Sequence, residues 1–186
     1  MKLETQLERL VKLGLAIDPD ITIEDILSVV ERSALERDPF KLLLYAFGAE
    51  SVRAPLGRRI CNRVWNLDPE GIETTGDYAN IARQLCLLSG NPDWLTEIVD
   101  YIDVEADEWW LEYTIAEQRR HYTVALDRDW VDMLMLSDVM EDIQRDSYLF
   151  YLLEHEQVMI LLYLDRVTAD RLGDLCDEDL EPVVPT

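Results

Sequence analysis

Glycine, histidine and lysine are scarce in this chain, and each shortage removes a class of chemistry. Seven glycines in 186 residues leave no glycine-rich cradle for a phosphate, and neither GxxxxGK[ST] nor GxSxG occurs. The two histidines, His121 and His155, have no partner at HxH or HxxxH spacing, so neither reads as a metal ligand or a general base. Three cysteines, Cys61, Cys86 and Cys176, are far apart and odd in number, which fits buried free thiols rather than disulfides or a zinc site. No lysine follows Lys41. No apolar run reaches the roughly 18 residues of a membrane-spanning helix. The first residues, Met-Lys-Leu-Glu-Thr-Gln-Leu-Glu, lack the pattern of a secretory signal, so the expected location is the cytoplasm. No catalytic motif, cofactor or metal is expected, and the chain reads as a non-enzyme.

What is abundant is carboxylate. The net charge is −22, with 17 Lys+Arg against 39 Asp+Glu. Residues 1–93 carry a net of −4 (11 against 15) and residues 94–186 a net of −18 (6 against 24). Such a field repels nucleic acid and anionic membrane and attracts basic proteins. The one basic cluster is Arg53, Arg58, Arg59 and Arg63. It is expected to dock on the acidic half of the chain, with an anion site as the alternative.

The pattern predicts an α+β fold: N-terminal helices packed on an antiparallel sheet of four to five strands with interspersed helices. Residues 1–176 are expected to form one globular domain. It has a helical part (1–50), an irregular connection (51–75) and a helix-plus-sheet part (76–176). Residues 177–186 are expected to be a mobile acidic tail.

The first helix is placed at 3–15. A second runs from a Thr22 cap to about Arg37. A third, capped by Asp38 with proline at its first position, runs to Phe47 and ends at Gly48. A helix capped by Thr75 spans 76–89. Residues 95–104 read as a strand covered on both sides.

The centre of the reading is 108–127, two strands joined by a short turn at 116–119. Trp109, Leu111, Tyr113 and Ile115 alternate on one face of the first, and Tyr122, Val124 and Leu126 on one face of the second. An Asp129-capped helix follows, with a buried stripe of Val131, Leu134, Met135, Val139 and Ile143. Residues 147–153 and 158–164 predict a second hairpin, with one long helix as the alternative. A last helix, capped by Thr168, ends near Cys176.

Trp110, opposite in parity to Trp109 and flanked by Glu108 and Glu112, resembles an interface anchor with a polar rim. The expected partner-binding residues are Asp100, Asp103, Glu105, Asp107, Glu108, Trp110, Asp129 and Asp132. The function expected is that of an acidic inhibitor or immunity protein against a basic toxin such as a nuclease. A nucleic-acid-mimicking regulator of a DNA-binding protein and a structural or assembly protein are the alternatives.

Overall fold

The structure is a computed structural model that describes residues 1–103, 105–106, 108–124, 130–145 and 147–184. Its first elements are α1 (Leu3–Lys12), α2 (Ile23–Val29), α3 (Arg32–Arg37), α4 (Lys41–Gly48), β1 (Val64–Leu67) and α5 (Asp77–Leu88). They are followed by β2 (Thr96–Asp103), β3 (Glu108–Ile115), β4 (Gln118–Thr123), α6 (Met133–Ile143), β5 (Tyr148–His155), β6 (Val158–Asp165) and α7 (Arg166–Cys176). The chain is α+β as expected, but the strands form two antiparallel sheets of three, β1-β6-β5 and β2-β3-β4, rather than one of four to five. It divides into two compact units, Met1–Leu67 with Ser147–Val183, and Asp68–Asp146 with Val184–Thr186.

In the first unit β6 is the central strand, buried at five successive positions as its nearly unbroken apolar sequence requires. The second hairpin forms as two strands and not as a helix. Strand β1, missing from the sequence reading, pairs along its whole length with β6. The core joins Leu3 and Leu10 of α1, Leu43 and Phe47 of α4, Ile160 and Leu162 of β6, and Leu172 of α7.

Several expected helix ends move. The helix from Thr22 breaks at Val30, which is extended, so α2 and α3 are separate. Thr22 does cap α2, in a reciprocal capping box with Asp25. Asp38 and Pro39 do not start α4. Phe40 does, at φ 71°, its N–H held by the buried Gln6 side chain at 3.0 Å. Gly48 does not end a helix through a left-handed residue. It is the last residue of α4, where a Cβ would lie 2.1 Å from the Asn66 side chain. Asp165, not Thr168, caps α7, accepting from the Thr168 N–H at 3.0 Å. In the acidic segment expected to be mobile, Leu180 is buried and the Val183 N–H donates to the Phe150 carbonyl at 2.8 Å.

Arg58 and Arg63 of the basic cluster are tied down, Arg58 within residues 1–93 and Arg63 against a ring of the acidic half. Arg58 pairs with the buried Asp25 at 2.6 Å and also donates to the carbonyls of Asp20 and Pro55. Asp25 further accepts from Ser51 and Thr22, and these bonds, Ser51's first, hold its carboxyl far below the ordinary range. Arg63 sits 5.7 Å over the Tyr148 ring.

The second unit packs α5 and α6 with one sheet, β3 at its centre. The alternation expected of β3 holds: Trp109, Leu111, Tyr113 and Ile115 are buried. Val124 is buried too, while Leu126 lies outside the described residues. The β3–β4 turn is only two residues, Ala116 and Glu117, at φ 46° and 64°. Two positive φ values suit a tight hairpin, in which Asn-Gly is the usual pair.

The expected Asp129 cap also lies outside the described residues, and Asp132 caps α6 by accepting from the Leu134 and Met135 N–H groups. Leu134, expected in the core, is 77% exposed; Met135, Leu136, Val139, Met140 and Ile143 form the buried face. Strand β2 is not covered on both sides, since among its eight residues only Asp100 is buried.

Candidate functional site

The site is the outer face of the β2-β3-β4 sheet. Leu111, Tyr113 and their neighbours of the same parity point inward, so Trp110, Glu112 and Thr114 point outward. Register places Tyr101 beside Trp110, Asp103 beside Glu108 and Val99 beside Glu112. On the other side Glu112 stands beside His121 and Thr114 beside Arg119.

Three rings thus span the sheet in a row. Tyr101 and Trp110 stack with centroids 5.8 Å apart, and Trp110 and His121 lie 5.9 Å apart. Aromatic pairs at these separations attract beyond their buried area, so each ring steadies the next. Tyr101 and Val99 are nevertheless exposed, and Trp110 is only half-buried.

Charged groups flank the row at both ends. Glu112 receives Arg119 at 2.6 Å and His121 Nδ1 at 3.0 Å. Arg119, and then His121, hold the Glu112 carboxyl below its ordinary value. Arg119 also approaches Glu97 at 3.4 Å. At the far end Asp103 accepts from the Ala106 and Glu105 N–H groups and from the Tyr101 hydroxyl. The Ala106 bond, then that of Tyr101, lowers its pKa, while Asp103 in return raises that of Tyr101. Glu105 and Glu108 are exposed beside it. The unit as a whole holds 5 Lys+Arg against 20 Asp+Glu, a net of −15.

Of the expected partner-binding residues, Asp103, Glu105, Glu108 and Trp110 therefore come together at one end of the β2–β3 hairpin. Asp100 does not join them. It is buried and its carboxylate accepts from the N–H groups of Gly76, Tyr78 and Ala79, so this residue, not Thr75, caps α5. Thr75 instead bonds to the β2 backbone at Ile102. Asp132 serves the N-terminus of α6, and Asp107 and Asp129 lie outside the described residues. Tyr101, Glu112, Arg119 and the His121 ring were missing from the expected set. The signal that finds them is strand parity carried across the register from Trp110.

The inner face holds a second polar group. Tyr113 and Tyr122 stack at 5.8 Å, and both hydroxyls donate to Asp142, at 2.8 and 3.3 Å. Arg120 reaches the same carboxylate at 3.2 Å. Burial first, and the Asp142 charge as well, push both phenols up, so they act as neutral donors. His155 lies with its ring 5.2 Å from that of Tyr45. The three thiols are buried and raised, to about 11 for Cys61 and Cys86 and about 12 for Cys176, far from the range of reactive thiolates.

Among the described residues, no three His, Cys, Asp or Glu side chains are placed to hold a metal ion, and no helix is long and apolar enough to cross a membrane. No protein-family model, curated protein or solved structure matches the chain.

Proposed function

We propose that this is a non-enzymatic protein-binding protein, an acidic inhibitor or immunity protein that neutralises a basic partner, most specifically a toxin such as a nuclease. The observation that carries the reading is the row Tyr101–Trp110–His121, open to solvent in the unit of net charge −15. An aromatic centre with a charged rim is the anatomy of an interface core. The carboxylates would speed encounter with a cationic surface, and the rings would supply the contact that resists dissociation.

The test begins with the basic proteins that the immobilised chain retains at low salt. Each is purified and its own activity titrated with the wild-type chain and with two variants. Trp110→Ala should raise the Kd about thirtyfold, as truncating a central anchor costs roughly 2 kcal/mol. Reversing Asp103, Glu105 and Glu108 to Lys should slow association about tenfold at low salt and flatten its salt dependence. Inhibition that both variants preserve would refute the face. A partner displaced from DNA, with no toxin inhibited, would move the reading to a nucleic-acid mimic.

A further inference from the structure

A small pocket in the first unit has the opposite electrostatic character from the rest of the chain. It is a shallow hollow of about 310 Å³, open to solvent, between the last turn of α1 and the middle of α7, and is lined by Arg9, Lys12, Leu13, Arg171, Asp174 and Leu175. Leu13 and Leu175 form its floor and are packed against the core. Three cations and one carboxylate form its rim, a local excess of +2 in a chain of −22.

The rim cations are not engaged by carboxylates of the described residues. Arg32, Lys41, Arg58, Arg119, Arg120 and Arg166 all pair with carboxylates. Among the described residues, Arg9, Lys12 and Arg171 have no ion pair, as is also true of Lys2, Arg37, Arg53, Arg63 and Arg83. The helix dipole accounts for Arg9 and Lys12 in the last turn of α1, but not for Arg171 in the interior of α7. Arg9 and Lys12 are three residues apart and so share a helix face. What sets Arg9, Lys12 and Arg171 apart from the other cations without an ion pair is that they meet around this one hollow.

We propose that this pocket binds a small amphipathic organic anion. Its alkyl or aromatic body lies on Leu13 and Leu175, and its carboxylate or phosphate sits among Arg9, Lys12 and Arg171. The volume is at the lower end for ligand pockets, which suits a small molecule. The site is independent of the sheet face assigned to the protein partner, and neither reading rests on the other.

The full-length chain is titrated with octanoate, octyl phosphate, 1-octanol and octylammonium, following the Leu13 and Leu175 methyl signals by NMR and stoichiometry by calorimetry. The expected result is saturable one-to-one binding of both anions with a Kd of about 1 mM or tighter, with the tighter of the two identifying the head group. Lys12→Gln and Arg171→Gln should each weaken it about three- to fivefold, the scale of one exposed charge pair, without lowering Tm. Octanol or octylammonium binding as tightly as the anions would overturn the proposal, as would anion binding that these variants leave unchanged or no saturation by about 10 mM. A concentration-dependent dimer that Lys12→Gln and Arg171→Gln dissociate would overturn it too, by making a second copy the occupant.

Discussion

Replacing Asp100 separates the two roles an acidic residue of β2 can have. Its carboxylate accepts the N–H groups of Gly76 at 2.8 Å, Tyr78 at 3.0 Å and Ala79 at 3.4 Å. Gly76 is the N-cap of α5, at φ 113°, and has no side chain of its own to offer. Asp100 therefore performs from a neighbouring strand what Ser or Asp normally performs in place. Asp100→Ala removes a cap worth about 1 kcal/mol and strands buried donors at about 1–3 kcal/mol, so roughly 2–4 kcal/mol of stability should be lost. Asp100→Asn keeps one acceptor oxygen and should lose about half as much. Trp65 lies in the first unit and Trp94, Trp109, Trp110 and Trp130 in the second, so a Trp65→Phe background makes fluorescence report the second unit alone. In urea the Asp100→Ala midpoint should fall with an unchanged slope. Glu108→Ala, on the exposed rim, should stay within about 0.5 kcal/mol of the parent. An Asp100→Ala midpoint as high as that of Glu108→Ala would refute the capping argument.

Gly48→Ala should destabilise the first unit by about 1–2 kcal/mol in a urea melt with Trp65 kept, followed by far-UV circular dichroism. Alanine's better helix propensity, about 1 kcal/mol, is outweighed by its Cβ meeting Asn66, whose Nδ2 is held by the Tyr45 carbonyl at 2.8 Å. Ala116→Asn with Glu117→Gly should raise the stability of the second unit by about 1–2 kcal/mol, because both positions already hold positive φ that these residues tolerate. Asp25 gives a sign for acid. Its folded pKa lies well below the ordinary 3.8, so its contribution is complete above that value and is lost as pH falls below it. Thermal melts of wild type and Ser51→Ala should therefore differ by a steady amount from pH 6 down through the ordinary carboxyl range, and the gap should close only well below pH 3.8, where the folded carboxyl itself takes up its proton. A gap that stayed constant even there would show that the Ser51 bond acts independently of the charge.

The parts legible from sequence were those whose signal is local. The first hairpin, with its β3 alternation, needed only period-two apolar spacing, and the second only two short apolar runs bounded by charge. The division into two sheets was not legible, because β1 is four residues long and its partner β6 lies about a hundred residues away. Leu134 was misplaced for a traceable reason. Val131, Met135, Val139 and Ile143 of the expected stripe are buried, but in a helix that begins at Met133, Leu134 lies on the side opposite the face shared by Met135, Leu136, Val139, Met140 and Ile143. Thr75 and Thr168 resemble caps in a local window, yet the carboxylates that do the capping come from Asp100, about two dozen residues on, and Asp165.

Strand β2 turns one carboxylate inward between two isoleucines, Ile98 and Ile102. Asp100 is turned inward while Val99 and Tyr101, its apolar neighbours, are exposed. A one-residue slip in register would exchange the two faces of the strand. The pairing with β3 is irregular between Thr96 and Val99, and Glu97 there has φ 50°. A bulge of this kind re-aims the residues that follow it. Its consequence is double: it delivers the Asp100 carboxylate to the start of α5, and it delivers Tyr101 to the outer face beside Trp110. The same irregularity that completes a helix end in the interior therefore extends the aromatic row across the surface. The inward parity holds Ile98 and Ile102 as well as Asp100, so this phase half-covers two isoleucines and leaves Val99 and Tyr101 on the outer face beside Glu112 and Trp110.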